Sequence, residues 1–238
     1  MNLEWQRAKV INIIDETPNT KRYFLQVQDT DCFDFKPGQF VTLDLPIHEK
    51  KNKRWRSYSI ASPPDGSNVF ELVIVLVEDG LGTPFLFGNV NIGDELIMRG
   101  PAGVFVLHDP IEHDYFMICT GTGIAPFRSM IHYIFNHQIP TKQVYLIFGT
   151  RYQKDLLYYN ELKALDEKMP NFHYIPTLSR EDWDGRKGYV HEVYKELAAG
   201  KPEADFLLCG WKMMIDEARK NLEAMGYDRK HVHFELYG

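Results

Sequence analysis

The sequence lacks several features that would place it in a specialised class of protein. Only three of its 238 residues are cysteine, and none stands in a CxxC pair, so no cysteine-ligated zinc site or iron–sulfur cluster is expected. A small, odd and dispersed set of cysteines is typical of a reducing compartment. No apolar run approaches the about 20 residues of a membrane helix, and the N-terminus lacks the layout of a signal peptide. We therefore expect a cytoplasmic protein without a membrane partner.

Excess positive charge and ligand motifs are also missing. Lysine and arginine number 27 against 33 acidic residues, a net charge of −6, which disfavours general binding to nucleic acid. The nine histidines are interpreted as forming no metal-ligand pattern of the HxH or HExxH kind, and no metal site is expected. Ser57 and Ser59 do not lie in a nucleophile elbow, which argues against a hydrolase.

What is present is an ordinary globular composition, 44% hydrophobic and 25% charged, in a chain long enough for two domains. Up to about residue 108, turn-forming segments separate seven short runs rich in β-branched and aromatic residues. These runs are RAKVINIIDE, KRYFLQVQD, QFVTLDLP, RSYSIAS, FELVIVLVED, DELIMRGP and VFVL. Their spacing predicts an antiparallel barrel or sandwich, interrupted by one helix near Gly82–Gly88.

From about Asp109 the pattern changes to apolar strands that alternate with amphipathic helices, beginning with YFMICT and APFRSMIHYIFNHQ and ending with HVHFELY. This alternation predicts a parallel sheet wrapped by helices, whose ligands bind at the carboxyl ends of the strands. We therefore expect two domains joined without a long linker, a β domain over residues 1–109 and an α/β domain over residues 110–238.

The segment RSYSIAS combines an arginine, an aromatic ring and small hydroxyl residues on one strand. Arg56 and Tyr58 share a face because side chains alternate along a strand. An arginine fork suits a pyrophosphate, a tyrosine ring suits stacking on a planar group, and a serine such as Ser59 can hydrogen-bond a ring nitrogen. An ordinary exposed barrel strand is the alternative interpretation.

Two glycine-containing segments predict phosphate or dinucleotide contacts. GLGTPFLF places backbone N–H groups and Thr83 at a helix N-terminus, which can bind phosphate. TGTGIAPF follows a strand and opens a helix, and Gly121 and Gly123 allow the backbone to approach a dinucleotide closely. A plain capped turn remains the alternative for each.

Three arginines follow successive elements of the α/β half. Arg151 ends the strand QVYLIFGT, Arg180 lies in LSRE and Arg186 lies in DGRKGYV. Their topology predicts that all three gather at one edge of the sheet, where positive charge favours the 2′-phosphate of NADP. The alternative is three exposed arginines in weak surface ion pairs.

In their order along the chain, RSYS, GLGT, GPAGVF, TGTGIAPF, SRE, CGWKMM and a terminal ELY resemble the ferredoxin–NADP reductase family, in particular its bacterial ferredoxin/flavodoxin–NADP reductases. The resemblance covers nearly the whole chain. It implies an FAD-binding antiparallel β-barrel followed by an NAD(P)-binding α/β domain with a parallel sheet, and the cofactors FAD and NADP(H).

The resemblance also implies roles for individual residues. Arg56 would hold the FAD pyrophosphate, Tyr58 would stack on the flavin and Ser59 would contact its N5 edge. Thr122 would sit between flavin and nucleotide, and Tyr237 would either cover the flavin ring or meet the adenine end of FAD. Further residues expected at FAD are Ser57, Val73, Ile74, Val75, Leu76, Leu81, Gly82 and Thr83.

For NADP, the resemblance implies contacts from Gly121, Gly123, Arg151, Ser179, Arg180, Arg186, Trp211, Lys212 and Met213. The residues expected to act in catalysis are Tyr58, Ser59, Cys209 and Glu235, with Cys209 beside the nicotinamide. A buried structural cysteine is the alternative for Cys209, and Glu235 and Tyr237 could equally belong to the edge of the last strand.

The reaction implied is exchange of hydride with NADP(H) and of single electrons with a ferredoxin or flavodoxin. The basic segment HEKKNKRWR, which contains Lys50, Lys51, Lys53 and Arg54, predicts attraction of an acidic electron carrier; a solvated surface loop is the alternative. Three other functions stay open: an NAD(P)H-dependent free-flavin reductase, the reductase component of an oxygenase, and a flavin-bearing electron-relay subunit without turnover.

Overall fold

The computed structural model describes residues 4–108 and 110–237. The chain divides into two compact units. The N-terminal unit contains the chain up to Leu107 together with Ala125–Tyr133, and the C-terminal unit contains His108–Ile124 and the chain from Ile134 onward. The expected domain boundary between residues 109 and 110 stays a prediction, because Asp109 lies outside the described residues.

The N-terminal unit is built on one sheet with strand order β4-β3-β6-β1-β2-β5, in which every neighbouring pair is antiparallel. A bridge between Ile60 and Leu72 joins the two outermost strands, so the sheet closes on itself as a barrel. The strands are β1 Gln6–Thr17, β2 Thr20–Val27, β3 Phe40–Asp44, β4 Trp55–Ser59, β5 Val69–Val75 and β6 Glu95–Ala102. The helix α1 spans Gly82–Asn89, close to the expected position.

Alternation of side chains fills the barrel. Along β2, Tyr23, Leu25 and Val27 are buried, while the residues between them are partly exposed. Together with buried residues of the other strands they form one hydrophobic core, which Leu86 of α1 joins. Period-two burial of this kind is what the sequence pattern predicts for antiparallel strands with one buried face.

The seventh predicted strand, VFVL, is wrong. After Gly103, whose φ is +108°, the chain leaves the sheet, and the side chain of Val104 is 93% exposed. The ring of Phe105 instead packs on Phe127 at a centroid distance of 5.8 Å. The apolar character of VFVL thus reflects packing against a helix and not pairing within the barrel.

The C-terminal unit holds a parallel sheet with strand order β10-β9-β8-β7-β11-β12. Its strands are β7 Asp114–Thr120, β8 Val144–Thr150, β9 Phe172–Leu178, β10 Arg186–Lys187, β11 Ala204–Trp211 and β12 Val232–Tyr237. The helices that alternate with them are α2 Ala125–His137, α3 Tyr159–Lys168, α4 Val190–Leu197 and α5 Lys212–Ala224. This confirms the predicted antiparallel-plus-parallel fold class.

The central strand β7 is buried from Tyr115 to Cys119 without alternation, as expected where helices cover both faces of a parallel sheet. Strands β8 to β10 extend the sheet on one side of β7, and β11 and β12 extend it on the other. The strand order therefore reverses between β7 and β11, and a crevice at their carboxyl ends is the usual ligand position of such sheets. None of the described helices is long and apolar enough to span a membrane.

Candidate functional site

The first group of expected site residues lies where β4 meets the start of α1. Arg56 Nη1 donates hydrogen bonds to the carbonyl oxygens of Lys53 at 3.0 Å and Trp55 at 2.8 Å, which fixes the guanidinium. A Cβ atom on Gly82 would lie 3.0 Å from Arg56 Cγ, so glycine lets the helix start pack directly on the arginine. Among the described residues no side-chain cap hydrogen bond is made at the start of α1, and uncapped N–H groups at a helix start attract phosphate. Together they form a cradle suited to a pyrophosphate.

The turn before α1 is held closed by Thr83. Its Oγ1 accepts a hydrogen bond from Val77 N at 2.8 Å and donates one to Val77 O at 3.2 Å. The hydroxyl is therefore engaged in the turn itself, and the expected phosphate contact of this segment stays a prediction. The neighbouring Leu81 side chain is 55% exposed.

The residues around Tyr58 differ in their surroundings. The ring of Tyr58 is half-buried and packs against the barrel core, and burial raises its pKa to about 12, so the phenol is neutral near pH 7. Ser57 Oγ lies 2.9 Å from Thr42 Oγ1 on β3, whereas Ser59 is buried. A neutral, partly exposed ring flanked by two hydroxyl groups suits stacking against a planar heterocycle.

The expected flavin-lining strand β5 offers two faces. Ile74 belongs to the barrel core, so a ligand could reach only its backbone. Val73 and Val75 point to the opposite face of the strand. Leu76 lies one residue beyond the end of β5, and its N–H donates to Asn19 O at 2.8 Å.

The second group of expected site residues lies at the carboxyl ends of β7 and β11. The backbone N–H of Trp211 donates to Thr120 Oγ1 at 3.2 Å, which joins the two strand ends. A Cβ atom on Gly123 would lie 2.4 Å from Cys209 O, and one on Gly210 would lie 2.5 Å from Thr120 Oγ1. Packing between these two turns therefore already requires glycine at both positions, before any nucleotide binds.

Several side chains at this edge are open to solvent. Trp211 is 68% exposed and Met213 is 86% exposed, whereas Lys212 is paired with Asp216 within α5. Gly121 has a φ of +54° and starts the short 3-10 helix that also contains the half-exposed Thr122. Exposed large apolar side chains beside a strand-end crevice are typical of a ligand site.

Cys209 lies inside the sheet, beside β12. It is fully buried and pairs in register with Glu235, while Trp211 pairs with Tyr237. Burial raises the pKa of the Cys209 thiol well above its usual value, Glu235 and Cys119 raise it further, and a hydrogen bond with Tyr237 opposes them. The sulfur is thus a neutral thiol, which suits contact with an uncharged ring and not nucleophilic attack.

Two of the three expected phosphate-binding arginines lie side by side. Arg180 N donates to Arg151 O at 3.1 Å, and Ser179 N donates to Thr150 O at 3.0 Å, so the ends of β8 and β9 are tied together. Both arginine side chains are exposed, and neither has a hydrogen-bond or ion-pair partner within residues 4–108 and 110–237. Two exposed arginines on adjacent strand ends, without an acidic partner among the described residues, suit a phosphate dianion.

The third arginine differs from the other two. Arg186 forms a bidentate ion pair with Glu196, with Nη1 to Oε2 at 2.6 Å and Nη2 to Oε1 at 2.9 Å. It borders a cavity of about 500 Å³ that Tyr159, Tyr174 and Trp183 also line. Its charge is therefore already balanced, and a phosphate would have to compete with Glu196 for it.

Sequence reasoning missed Thr120. Its hydroxyl joins the β7 and β11 turns, and its sequence signal is its place as the first residue of TGTG, at the end of a predicted strand. The motif predicted roles for its two glycines and Thr122, whereas the contact of Thr120 depends on a strand 91 residues away.

Comparisons with known proteins match one family model to the N-terminal part of the chain and another to the C-terminal part. The family model of the oxidoreductase FAD-binding domain matches residues 7–107, and that of the oxidoreductase NAD-binding domain matches residues 117–220. Ferredoxin--NADP reductase B of Sorangium cellulosum is 34% identical over 97% of this chain and 96% of its own length. The chain belongs to the ferredoxin–NADP reductase family of FAD- and NAD-binding oxidoreductases, which confirms the resemblance drawn from the motifs.

Other relatives serve oxygenases. The anthranilate 1,2-dioxygenase electron transfer component of Acinetobacter baylyi is 31% identical over 88% of this chain, but the match covers only 60% of that relative. Among solved structures, a ferredoxin NADP⁺ reductase from Neisseria gonorrhoeae with bound FAD and NADP superposes with a TM-score of 0.82 at 25% identity, covering 98% of both chains.

Proposed function

We propose that this oxidoreductase exchanges hydride with NADP(H) and single electrons with a ferredoxin or flavodoxin. The observation that carries the nucleotide preference is the pair of exposed guanidinium groups of Arg151 and Arg180 at adjacent strand ends. The 2′-phosphate distinguishes NADP from NAD, and positive charge is what recognises it. The NADP found in the related Neisseria gonorrhoeae structure supports the same assignment.

FAD, when bound, supplies hydride and single-electron chemistry that no amino-acid side chain provides. The residues of this chain bind and orient. Arg56 and the start of α1 hold the pyrophosphate, Tyr58 presents a neutral ring to the flavin, and Ser59 offers a hydroxyl to its edge. Arg151, Ser179 and Arg180 anchor the 2′-phosphate, so the nicotinamide end is positioned by binding energy gained far from the reacting atoms.

At the carboxyl ends of β7 and β11, where the strand order reverses, Gly121, Thr122 and Gly123 would approach the nucleotide through the backbone. Trp211 and Met213 would cover it, and Cys209 would provide a neutral contact to the nicotinamide. Glu235 and Tyr237 adjoin Cys209 through strand register and hydrogen bonding. We assign them to the positioning of that thiol.

The class of electron carrier is assigned from the positive charge of the loop before β4. Lys50, Lys51 and Lys53 are exposed on and beside the short 3-10 helix Lys51–Lys53, whereas Arg54 pairs with Asp44 at 2.7 Å. The same loop leads directly into Arg56, the proposed FAD ligand. An acidic carrier attracted to these lysines would dock beside the flavin-binding strand.

A second candidate function is the reductase component of an oxygenase. The match to the anthranilate dioxygenase component favours it, and this chain spans about six-tenths of that relative. In this role the chain would pass electrons to a separate ferredoxin. The cytoplasmic location expected from the cysteine content stays a prediction.

The test is anaerobic reduction of the purified protein, followed by loss of flavin absorbance, with NADPH and with NADH. We expect fast bleaching by NADPH and slow bleaching by NADH. Arg151→Ala with Arg180→Ala should weaken NADPH binding roughly 100-fold or more and leave NADH binding within about threefold, because each lost charge-assisted contact costs about 1.5–3 kcal/mol. Arg186→Ala is the matched comparison and should have a smaller effect, because Glu196 already pairs with it.

Equal losses for both nucleotides in the double variant would remove the phosphate assignment and keep the hydride step. A protein purified without colour would support a free-flavin reductase. A yellow protein inert to both nucleotides would support an electron-relay subunit.

A further inference from the structure

The amino end of the parallel sheet carries a cluster of ionisable side chains that the proposed reaction does not use. His113 directly precedes β7, Asp205 is the second residue of β11, and His231 directly precedes β12. Strands β7, β11 and β12 are neighbours, and their register pairs Asp205 with Tyr115 and Phe206 with Val232. The two histidines therefore flank the aspartate from either side.

Their side chains converge on one carboxylate. His113 Nδ1 lies 3.0 Å from Asp205 Oδ2, and His231 Nδ1 lies 2.7 Å from Asp205 Oδ1. One ligand atom of each residue lies within 4.8 Å of the others, and the two imidazole rings meet edge to face at 5.4 Å. Two imidazole nitrogens and a carboxylate oxygen form the donor set that binds zinc and neighbouring divalent transition metals.

We propose that His113, Asp205 and His231 form a binding site for a divalent transition-metal ion of the zinc class. A zinc ion about 2.0–2.1 Å from each donor needs the donors about 3.3 Å apart. The two nitrogen–oxygen pairs are 3.0 and 2.7 Å apart and all three donors lie within 4.8 Å of one another, so small side-chain shifts bring the donors to this spacing.

The surroundings are compatible with an ion. The three side chains are 28%, 19% and 30% exposed in the order His113, Asp205 and His231, so an ion can enter and a water molecule can supply a fourth ligand. The adjoining 3-10 helix contains Arg229 and Lys230, and the Arg229 side chain is directed to Glu223 at 2.8 Å. Nδ1 binds metal as a neutral imidazole with its proton on Nε2, so each ring can exchange its contact with Asp205 for the ion.

The site lies at the edge of the sheet opposite the proposed nucleotide site. Along β11, Asp205 and Gly210 are five residues apart, or about 16 Å at 3.3 Å per residue. An ion at this edge would join the starts of three neighbouring strands without contacting the reacting atoms. Its role would be to stabilise the α/β domain, and its binding should leave nucleotide oxidation unchanged.

The sequence carried one signal for this site. His231 belongs to an HxH pattern in HVHFELY, the only part of the ligand set visible locally. The expectation that no metal binds rested on the absence of HxH and HExxH patterns, and it overlooked the HxH formed by His231 and His233. Here the ligands come from three strand ends that are 92 and 26 residues apart.

The test is titration of the full-length, flavin-loaded and untagged protein, after chelator treatment, with Zn²⁺ in competition with a chromophoric chelator. We expect one tight equivalent per chain and a rise in melting temperature with Zn²⁺. His113→Gln, His231→Gln and Asp205→Asn should each weaken binding by more than about 100-fold, beyond the 10- to 100-fold typical of residues that only support ligands.

His137→Gln is the matched control, because His137 is an exposed histidine of α2 outside the cluster, and it should bind Zn²⁺ like the parent. Cys32→Ser is a second control, which tests whether the exposed Cys32 thiol contributes to Zn²⁺ binding, and it should also bind Zn²⁺ like the parent. Circular dichroism and flavin content verify that each variant is folded. Absence of a tight equivalent in the parent, or unchanged affinity in all three ligand variants, would overturn the proposal.

Discussion

At the scale of single residues, Gly123 and Gly210 at the carboxyl ends of β7 and β11 are needed for packing as well as for leaving space for a ligand. The position of a Cβ atom on Gly123 is occupied by the backbone of Cys209 and Gly210, at 2.4 Å from the nearest oxygen. The contact joins the turn after β7 to the end of β11. Gly123 is therefore required for packing at the carboxyl ends of β7 and β11, whether or not a ligand binds there.

We expect Gly123→Ala to lower the free energy of unfolding by about 1–3 kcal/mol, the usual cost of overpacking, and to slow flavin reduction by NADPH. Denaturant unfolding followed by circular dichroism, with anaerobic bleaching, measures both. Gly200→Ala is the control, because a Cβ atom on Gly200 would meet no atom within 4 Å and the φ of this residue is ordinary. Equal stability of the two variants would show that the turn tolerates a side chain.

At the scale of elements, a buried ionic cluster joins parts of the N-terminal unit. Glu71 on β5 is 2% exposed and binds Arg22 on β2 through two contacts of 2.7 and 3.0 Å. Its Oε2 also accepts from Arg128 Nη1 at 3.2 Å, and the same nitrogen donates to Ala61 O at 2.9 Å. Strands β2 and β5 and the first part of α2 thus meet at one carboxylate, and Arg128 also links them to the segment after β4.

Removal of that carboxylate should be costly, because Arg22 and Arg128 would both lose a buried carboxylate partner. We expect Glu71→Ala to reduce the free energy of unfolding by about 3–5 kcal/mol. Glu78→Ala, which removes an exposed carboxylate a few residues along the chain, should change it by less than about 0.5 kcal/mol. Chemical denaturation of the flavin-loaded protein compares the two, and a similar small loss in both would show that the cluster contributes little.

At the scale of the whole molecule, charge is distributed unevenly. The chain has a net charge of −6, yet the loop before β4 exposes Lys50, Lys51 and Lys53 in close succession. A local patch opposite in sign to the net charge directs an acidic partner to one place on the surface.

Changing Lys50, Lys51 and Lys53 to glutamate should raise the KM for a ferredoxin or flavodoxin about tenfold or more at low salt, and the difference should shrink as ionic strength rises. Reduction of the flavin by NADPH should stay unchanged. The control changes Lys142, Lys168 and Lys220, three exposed lysines elsewhere, to glutamate, with the same change in net charge. If both triple variants alter KM equally, the effect is one of total charge and the docking patch is wrong.

Also at this scale, the sequence alone determined much of the architecture. Period-two alternation predicted the barrel strands and strand–helix alternation predicted the parallel sheet, because burial on one or both faces imposes these patterns locally. The motifs predicted the family for the same reason, since RSYS, GLGT and TGTG are each short and contiguous. The one strand predicted wrongly, VFVL, contains Phe105, whose ring packs on Phe127 of the helix α2 and not within the barrel sheet.

The tertiary structure alone decided which charged side chains are available. Arg151, Arg180 and Arg186 are equivalent in the sequence, but among the described residues only Arg186 meets an acidic partner, Glu196 of α4. In the same way His113, Asp205 and His231 meet only because β7, β11 and β12 are neighbours in the sheet. Ion pairs and ligand sets depend on distances between side chains, and for residues far apart in the chain those distances are set by sheet order and register.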